Sequence, residues 1–211
     1  MREIFKKKFK PRIKARIRKS KIGINNKVRN FFDWVKGAEI IELNSCNTNE
    51  DPVRPELNND FRTNYGRKIY GIKDDNGEIA AVMCFAFTNE VPVSVNDMDI
   101  LSKDAALQAV HKAGQQGSIA VAYTVWARKK GGGKHIVNEV YKMIKQSSHL
   151  NRLVTLSPLT AMAERFHLKN GAKLLQVNDD TQNFEYDIEL EQWEKFLARV
   201  KKIKDKIPFL K

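Results

Sequence analysis

Val121 to Ile144 reads VAYTVWARKKGGGKHIVNEVYKMI, and the fold turns on how this stretch is read. The apolar run Ile119 to Trp126 has the length and composition of a buried strand. Arg128-Lys129-Lys130-Gly131-Gly132-Gly133 follows, and then Ile136, Val137, Val140, Tyr141 and Ile144 recur at helical spacing. The order is therefore strand, basic glycine turn, helix. Glycine lets a backbone approach a ligand closely and adopt positive φ. A helix N-terminus offers unpaired N–H groups and about half a positive charge. Lys129, Lys130 and Lys134 add full charges, so the turn has the makings of a phosphate or pyrophosphate site. A solvated basic turn before an ordinary surface helix is the alternative.

Three phosphate-binding loops are distinguishable here. The P-loop pattern fails, because the lysine after Gly133 is followed by His135 and not by Ser or Thr. The dinucleotide pattern fails because its third glycine position holds Ile136. Arg128, Gly131 and Gly133 do fit R-x-x-G-x-G. In that pattern the stretch resembles the pyrophosphate loop of the GNAT superfamily of acyl-CoA-dependent acyltransferases. The resemblance implies that Arg128, Lys129, Lys130, Gly131, Gly132, Gly133 and Lys134 hold the CoA pyrophosphate. It also implies that backbone groups of Val125 and Ala127 hold the pantetheine amides.

The elements on either side agree. Ala38 to Leu43 reads as a strand, and residues 44–64, rich in Asn, Asp and Pro, as a loop. Lys68 to Lys73 and Ile79 to Phe87 flank Asp74-Asp75-Asn76-Gly77, a hairpin signal suited to a primed turn. Asp97 to Val110 reads as a helix with Ile100, Leu101, Leu107 and Val110 apolar. Arg152 to Leu156 is a short strand ending in Ser157-Pro158, Thr160 can cap a helix over 161–170, and Gly171 can stop it. Lys173 to Val177 and Asn183 to Glu189 read as strands. This succession is like the GNAT fold, an α/β (α+β) mixed sheet splayed at its centre and flanked by helices. The expected organisation is a basic arm over 1–27, a GNAT-like acyl-CoA-binding domain over 28–190, and an amphipathic helix over 191–211 packed on it.

A second resemblance lies further on. Thr155-Leu156-Ser157-Pro158, Phe166-His167-Leu168-Lys169-Asn170-Gly171-Ala172 and Asn183-Phe184-Glu185-Tyr186 look like the C-terminal part of malonyl-CoA decarboxylase, whose catalytic domain is itself GNAT-like. It implies catalytic roles for Ser157 and His167. In many GNAT acyltransferases the position of His167, aligned on Gly171, is a tyrosine that protonates departing CoA. Histidine can donate a proton near neutral pH. From the residues alone, His167 also reads as a helix C-terminal histidine bonding the last carbonyls. Many GNAT enzymes hold a glutamate base near the central strand, and none occurs between Ala105 and Glu139.

The net charge is +13, of which residues 1–30 carry +12 and the remainder +1. Such an arm suits an anionic partner, nucleic acid or an acidic surface, or a solubilising tail. Cys46 and Cys84 have no metal or redox spacing, and Cys84 reads as a plain core thiol. His111, His135 and His149 read as surface residues, so no metal is expected, and Tyr123 reads as core packing. The absence of a disulfide framework points to a reducing cytoplasm, and no stretch is apolar enough to span a membrane. The leading expectation is an N-acyltransferase that uses acetyl-CoA or another short acyl-CoA, with direct attack by an amine acceptor on the thioester. The alternatives are a malonyl-CoA decarboxylase-like enzyme using Ser157 and His167, and a non-catalytic GNAT scaffold acting through its arm.

Overall fold

A computed structural model describes residues 39–111 and 116–186. The expected arm over 1–27, the rest of the expected domain span at either end, and the helix over 191–211 lie outside the described residues. Among the described residues, eight strands form one mixed sheet: β1 Ile40–Leu43, β2 Lys68–Lys73, β3 Ile79–Thr88, β4 Ile119–Ala127, β5 Arg152–Thr155, β6 Ser157–Pro158, β7 Ala172–Val177 and β8 Thr181–Tyr186. The described residues also form α1 Asn59–Thr63, α2 Val95–His111, α3 Gly132–Gln146 and α4 Ala161–Lys169. β1 to β4 pair antiparallel in sequence order. β5 joins β4 in parallel, and β8 pairs antiparallel with β5 and β6 on one side and β7 on the other.

β3 and β4 are apolar runs because both faces of the sheet are covered there. Successive side chains point to opposite faces. Met83 and Phe85 pack with Ile136, Val137 and Val140 of α3, while Val82, Cys84 and Ala86 pack with Met98 of α2. The periodic stripe of α3 is buried as the sequence predicts, and His135 is buried with it, which corrects its reading as a surface residue. His149 is exposed. On α2 the small residues Ser102, Ala105 and Ala109 face inward, while Ile100, Leu107 and Val110 are exposed.

Two local readings change. The turn after β2 is closed by the Gly77 N–H on the Asp74 carbonyl at 3.0 Å, and Gly77 alone takes positive φ, at 80°. A primed turn of type I′ needs positive φ at Asn76 as well, so this turn is of another kind. The loop over 44–64 contains α1, capped by the Asn58 side chain on the Phe61 N–H at 2.8 Å. Thr160 caps α4 as expected, accepting from the Ala163 N–H at 3.2 Å, and Gly171 stops it with φ 93°.

The sheet opens at its centre. β4 pairs with β5 only from Ile119 to Ala122, whereas it pairs with β3 along its whole length. A bulge in the β3–β4 ladder places Tyr123 as the extra residue between Ala122 and Thr124. Beyond it the Tyr123 and Leu156 carbonyls diverge, and the Arg54 guanidinium lies between them. Its Nε donates to the Tyr123 oxygen at 3.0 Å and its Nη2 to the Leu156 oxygen at 2.9 Å.

Arg54 is held by a buried network. The Asp51 carboxylate accepts from the backbone N–H groups of Val53 and Arg54, from Thr124 Oγ1 at 2.7 Å, and from Arg62 Nη2 at 2.8 Å. Arg62, fully buried, also donates to the Leu57 and Arg54 carbonyls, each at 2.8 Å. Truncating one partner of such a pair leaves an uncompensated buried charge. We predict that Arg62→Met lowers unfolding free energy by about 3 kcal/mol, read by urea denaturation. A loss below about 1 kcal/mol would place the pair among weak surface pairs.

Candidate active site

The divergence of β4 and β5 leaves a cavity of about 360 Å³. Its walls come from β4 (Ala122, Tyr123, Thr124, Val125), β5 and β6 (Leu153, Thr155, Ser157, Pro158), α4 (Met162, Ala163, Phe166, His167), Pro52 and Val53 of the first long loop, and Tyr186 of β8. The lining is mostly apolar, and no carboxylate occurs among the described residues that form it. A larger groove of about 580 Å³ lies between the end of α3 and β7. There Arg152 and Glu185 pair with each other at 2.7 Å. The linked proton donors are all in the smaller cavity.

Ser157 and His167, singled out by sequence, come together here. Ser157 Oγ lies 2.7 Å from His167 Nε2. His167 Nδ1 lies 2.8 Å from the Tyr186 hydroxyl. Ser157 Oγ also donates to Thr155 Oγ1 at 3.2 Å, and that oxygen accepts the Phe184 N–H at 3.1 Å. The result is a chain of hydrogen-bonded groups, Tyr186, His167, Ser157 and Thr155, along the cavity wall. Phe184 stacks on the imidazole at 5.0 Å between centroids, which fixes the ring plane. Burial lowers the His167 pKa to about 4, so the imidazole is neutral at pH 7. Burial also raises the Tyr186 phenol above its ordinary value. At neutral pH the imidazole is therefore neutral, with one ring nitrogen able to donate and the other to accept.

The glycine turn stands at the other end of the opening. Gly131 is the N-cap of α3, with φ 90°, a conformation that costs other residues about 1–2 kcal/mol. A Cβ on Gly132 would come within 2.9 Å of the Ala80 carbonyl oxygen, so this glycine lets α3 start hard against β3. A Cβ on Gly133 would press at 3.2 Å on the ring of Phe166, the residue before His167. Arg128 donates its N–H to the Ala80 carbonyl at 2.9 Å. Ladder alternation then turns the backbone groups of Val125 and Ala127 away from β3 and into the gap. Lys130 and Lys134 are exposed, Arg128 pairs with Glu50 at 2.6 Å, and Lys129 pairs with Asp74 and Glu78.

Tyr123 is buried, with its ring edge-on to Phe61, in agreement with core packing, and part of it also lines the cavity. Tyr186 closes the Asn183–Tyr186 segment noted in the sequence, which gave it no role, and Arg54 lies in a polar loop with no local signal. No helix is long and apolar enough to cross a membrane, and no cluster of metal-ligating side chains occurs, among the described residues.

No protein-family model matches this chain, and no curated protein matches it by sequence. Solved structures do match in shape. Malonyl-CoA decarboxylase from Cupriavidus metallidurans superposes with a TM-score of 0.53 at 14% identity, covering 81% of this chain and 66% of that one. Malonyl-CoA decarboxylase from Agrobacterium vitis gives 0.53 at 12% identity, covering 72% and 61%. The GphF GNAT-like decarboxylase, in complex with isobutyryl-CoA, gives 0.54 at 9% identity, covering 70% of this chain and 98% of that one. The chain thus spans less than two thirds of the two malonyl-CoA decarboxylase chains. The match shows the fold alone: a GNAT-like mixed sheet, parted here between β4 and β5.

Proposed function

We propose that this chain is an acyl-CoA-utilising enzyme that decarboxylates a malonyl-type thioester. One observation carries the reading: a neutral Tyr186–His167–Ser157 relay, with hydrogen bonds of 2.8 and 2.7 Å, opens on an apolar cavity that has no carboxylate in its described lining. The GNAT-like fold, and a decarboxylase of that fold in complex with isobutyryl-CoA, support it.

In this reading CoA lies across the gap. Its pyrophosphate meets the N-terminus of α3 and the cations of residues 128–134, displacing Glu50 from Arg128. Its pantetheine amides meet the outward backbone groups of Val125 and Ala127. The malonyl carboxylate enters an apolar space where a localised charge is poorly solvated. Loss of carbon dioxide breaks the bond to the α-carbon and leaves that electron pair as a delocalised enolate. The Ser157 hydroxyl gives its proton to the α-carbon. His167 Nε2–H reprotonates Ser157, Tyr186 gives its proton to Nδ1, and solvent restores the phenol. Because each donor is neutral, no buried imidazolium has to form.

Acyl transfer to an amine is the second reading, favoured by the same gap between β4 and β5. With no carboxylate in the described lining, it requires an amine that arrives uncharged. Incubating the full chain with malonyl-CoA alone separates the two. The proposal expects carbon dioxide and acetyl-CoA without any acceptor. No carbon dioxide from malonyl-CoA, together with acetyl transfer from acetyl-CoA to added amines, would replace it by the second reading.

The relay gives two further expectations. Ser157→Ala and His167→Gln should each lower the decarboxylation rate by about 10²-fold or more while sparing CoA affinity. Tyr186→Phe, which removes one hydrogen bond, should lower it roughly tenfold. Steady-state rates and calorimetric binding check both, and unchanged rates would remove these residues from the chemistry. The second expectation concerns pH. The folded His167 pKa is about 4 against an ordinary 6.5, so between these values the unfolded chain binds a proton that the folded chain does not. Stability from this group is present above pH 6.5 and is lost as pH falls toward 4. Between pH 7 and 5 the wild type should lose about 2 kcal/mol more than His167→Gln. Equal losses in denaturant titrations would contradict the burial argument.

A further inference from the structure

The groove of about 580 Å³ beside the end of α3 mixes apolar side chains with cations. Tyr141 and Ile144 come from α3, and Leu174 and Leu175 from β7. Among the described residues β7 has one ladder partner, β8, so its other edge presents backbone groups without a strand beside them. Leu174 is 47% exposed, Leu175 39% and Val177 58%. An edge strand that bears exposed leucines is a surface that proteins ordinarily cover. The charge of the groove is one-sided. Lys145, Arg152 and Lys173 stand against Glu185 alone, and Arg152 already pairs with Glu185.

The chain leaves the sheet inside this groove. β8 ends at Tyr186, which lines it, and residues 187–211 continue from there. Their sequence carries the complementary pattern. Trp193, Phe196, Leu197, Val200 and Ile203 recur at helical spacing as one apolar stripe. Before and beside its start stand Asp187, Glu189, Glu191 and Glu194, with no lysine or arginine from 187 to 194. Acids at that end also suit a helix N-terminus. The negative charge thus follows Tyr186 directly, where the groove offers Lys145 and Lys173.

We propose that the groove between α3 and β7 is the docking surface for residues 187–211 of the same chain. The stripe over 193–203 lies on Tyr141, Ile144, Leu174 and Leu175, and the acids of 187–194 meet Lys145 and Lys173. The linker between Tyr186 and Trp193 reaches about 20 Å when extended, enough for the stripe to fold back onto β7. A short amphipathic helix is marginal alone and gains its stability by laying its apolar face in such a groove. Leu153 and Tyr186 line this groove and the active-site cavity alike. The docked segment therefore braces from behind the wall that carries the relay, whichever reaction that cavity performs.

Hydrogen exchange with peptide mass mapping on the full chain tests this, with Phe196→Asp and Leu174→Asp as variants. In the wild type, peptides over 193–203 should be protected. Each variant should speed exchange in 193–203 and in β7 roughly tenfold or more, while β3 and β4 keep their protection. Phe196 lies outside the sheet, so its variant decides the matter if Leu174→Asp fails to fold. Carbodiimide coupling joins a carboxylate to an amine with loss of water. It should link the 187–194 peptide to Lys145 or Lys173 within one chain. Free exchange of 193–203 in the wild type, or β7 exchange unchanged by Phe196→Asp, would overturn the docking. Links to Lys145 or Lys173 of a second copy would overturn it too, by placing one chain's segment on another.

Discussion

The interaction on which the rest of this structure depends is that of the Arg54 guanidinium with the Tyr123 and Leu156 carbonyls. Two adjacent strands that part leave backbone acceptors without a ladder partner, and buried acceptors without partners are costly. A planar fork of donors can satisfy one carbonyl on each strand at once. With Arg54 there, β4 and β5 stay apart beyond Ala122 without a buried orphan at the apex. The opening is therefore a built feature, held from behind by Asp51 and Arg62, and its walls carry both the relay and the outward edge of β4.

The two ends of the opening divide the chemistry. At the mouth, Gly131, Gly132 and Gly133 let a helix start against β3 and beneath Phe166, so N–H groups and cations are gathered where an anion can approach. At the wall, neutral donors are linked in sequence and ionisation is suppressed by burial. Charge is thus concentrated where a charged part of the ligand is expected and withheld from the place where the reacting carbon is expected. Phe166 joins the two ends, since it covers Gly133 and precedes His167.

Much of this was legible in the sequence wherever a local pattern has a single physical solution. An apolar run, a glycine turn and a periodic helix can pack only as β4, turn and α3, and Thr160 and Gly171 mark the ends of α4 by cap chemistry alone. Ser157 and His167 were named from their motifs, and the fold brings them within 2.7 Å. The rest depended on long-range placement. Arg54 reaches carbonyls 69 and 102 positions away, and nothing in a polar loop distinguishes a buried arginine from a solvated one. Tyr186 was visible as the end of the Asn183–Tyr186 segment, but its role follows only from the meeting of its hydroxyl with His167 Nδ1. His135 was misread because histidine usually faces solvent, although it falls within the buried stripe of α3.

We infer that the gap between β4 and β5, with the glycine turn at its mouth, holds a CoA thioester. Calorimetric titration of CoA into the full chain and into Gly131→Asp tests it most directly. The account predicts binding near the micromolar range, about −8 kcal/mol, lost in the variant because an aspartate there adds bulk and negative charge and must adopt positive φ. Absence of binding to the wild type, or equal affinity in the two proteins, would contradict it.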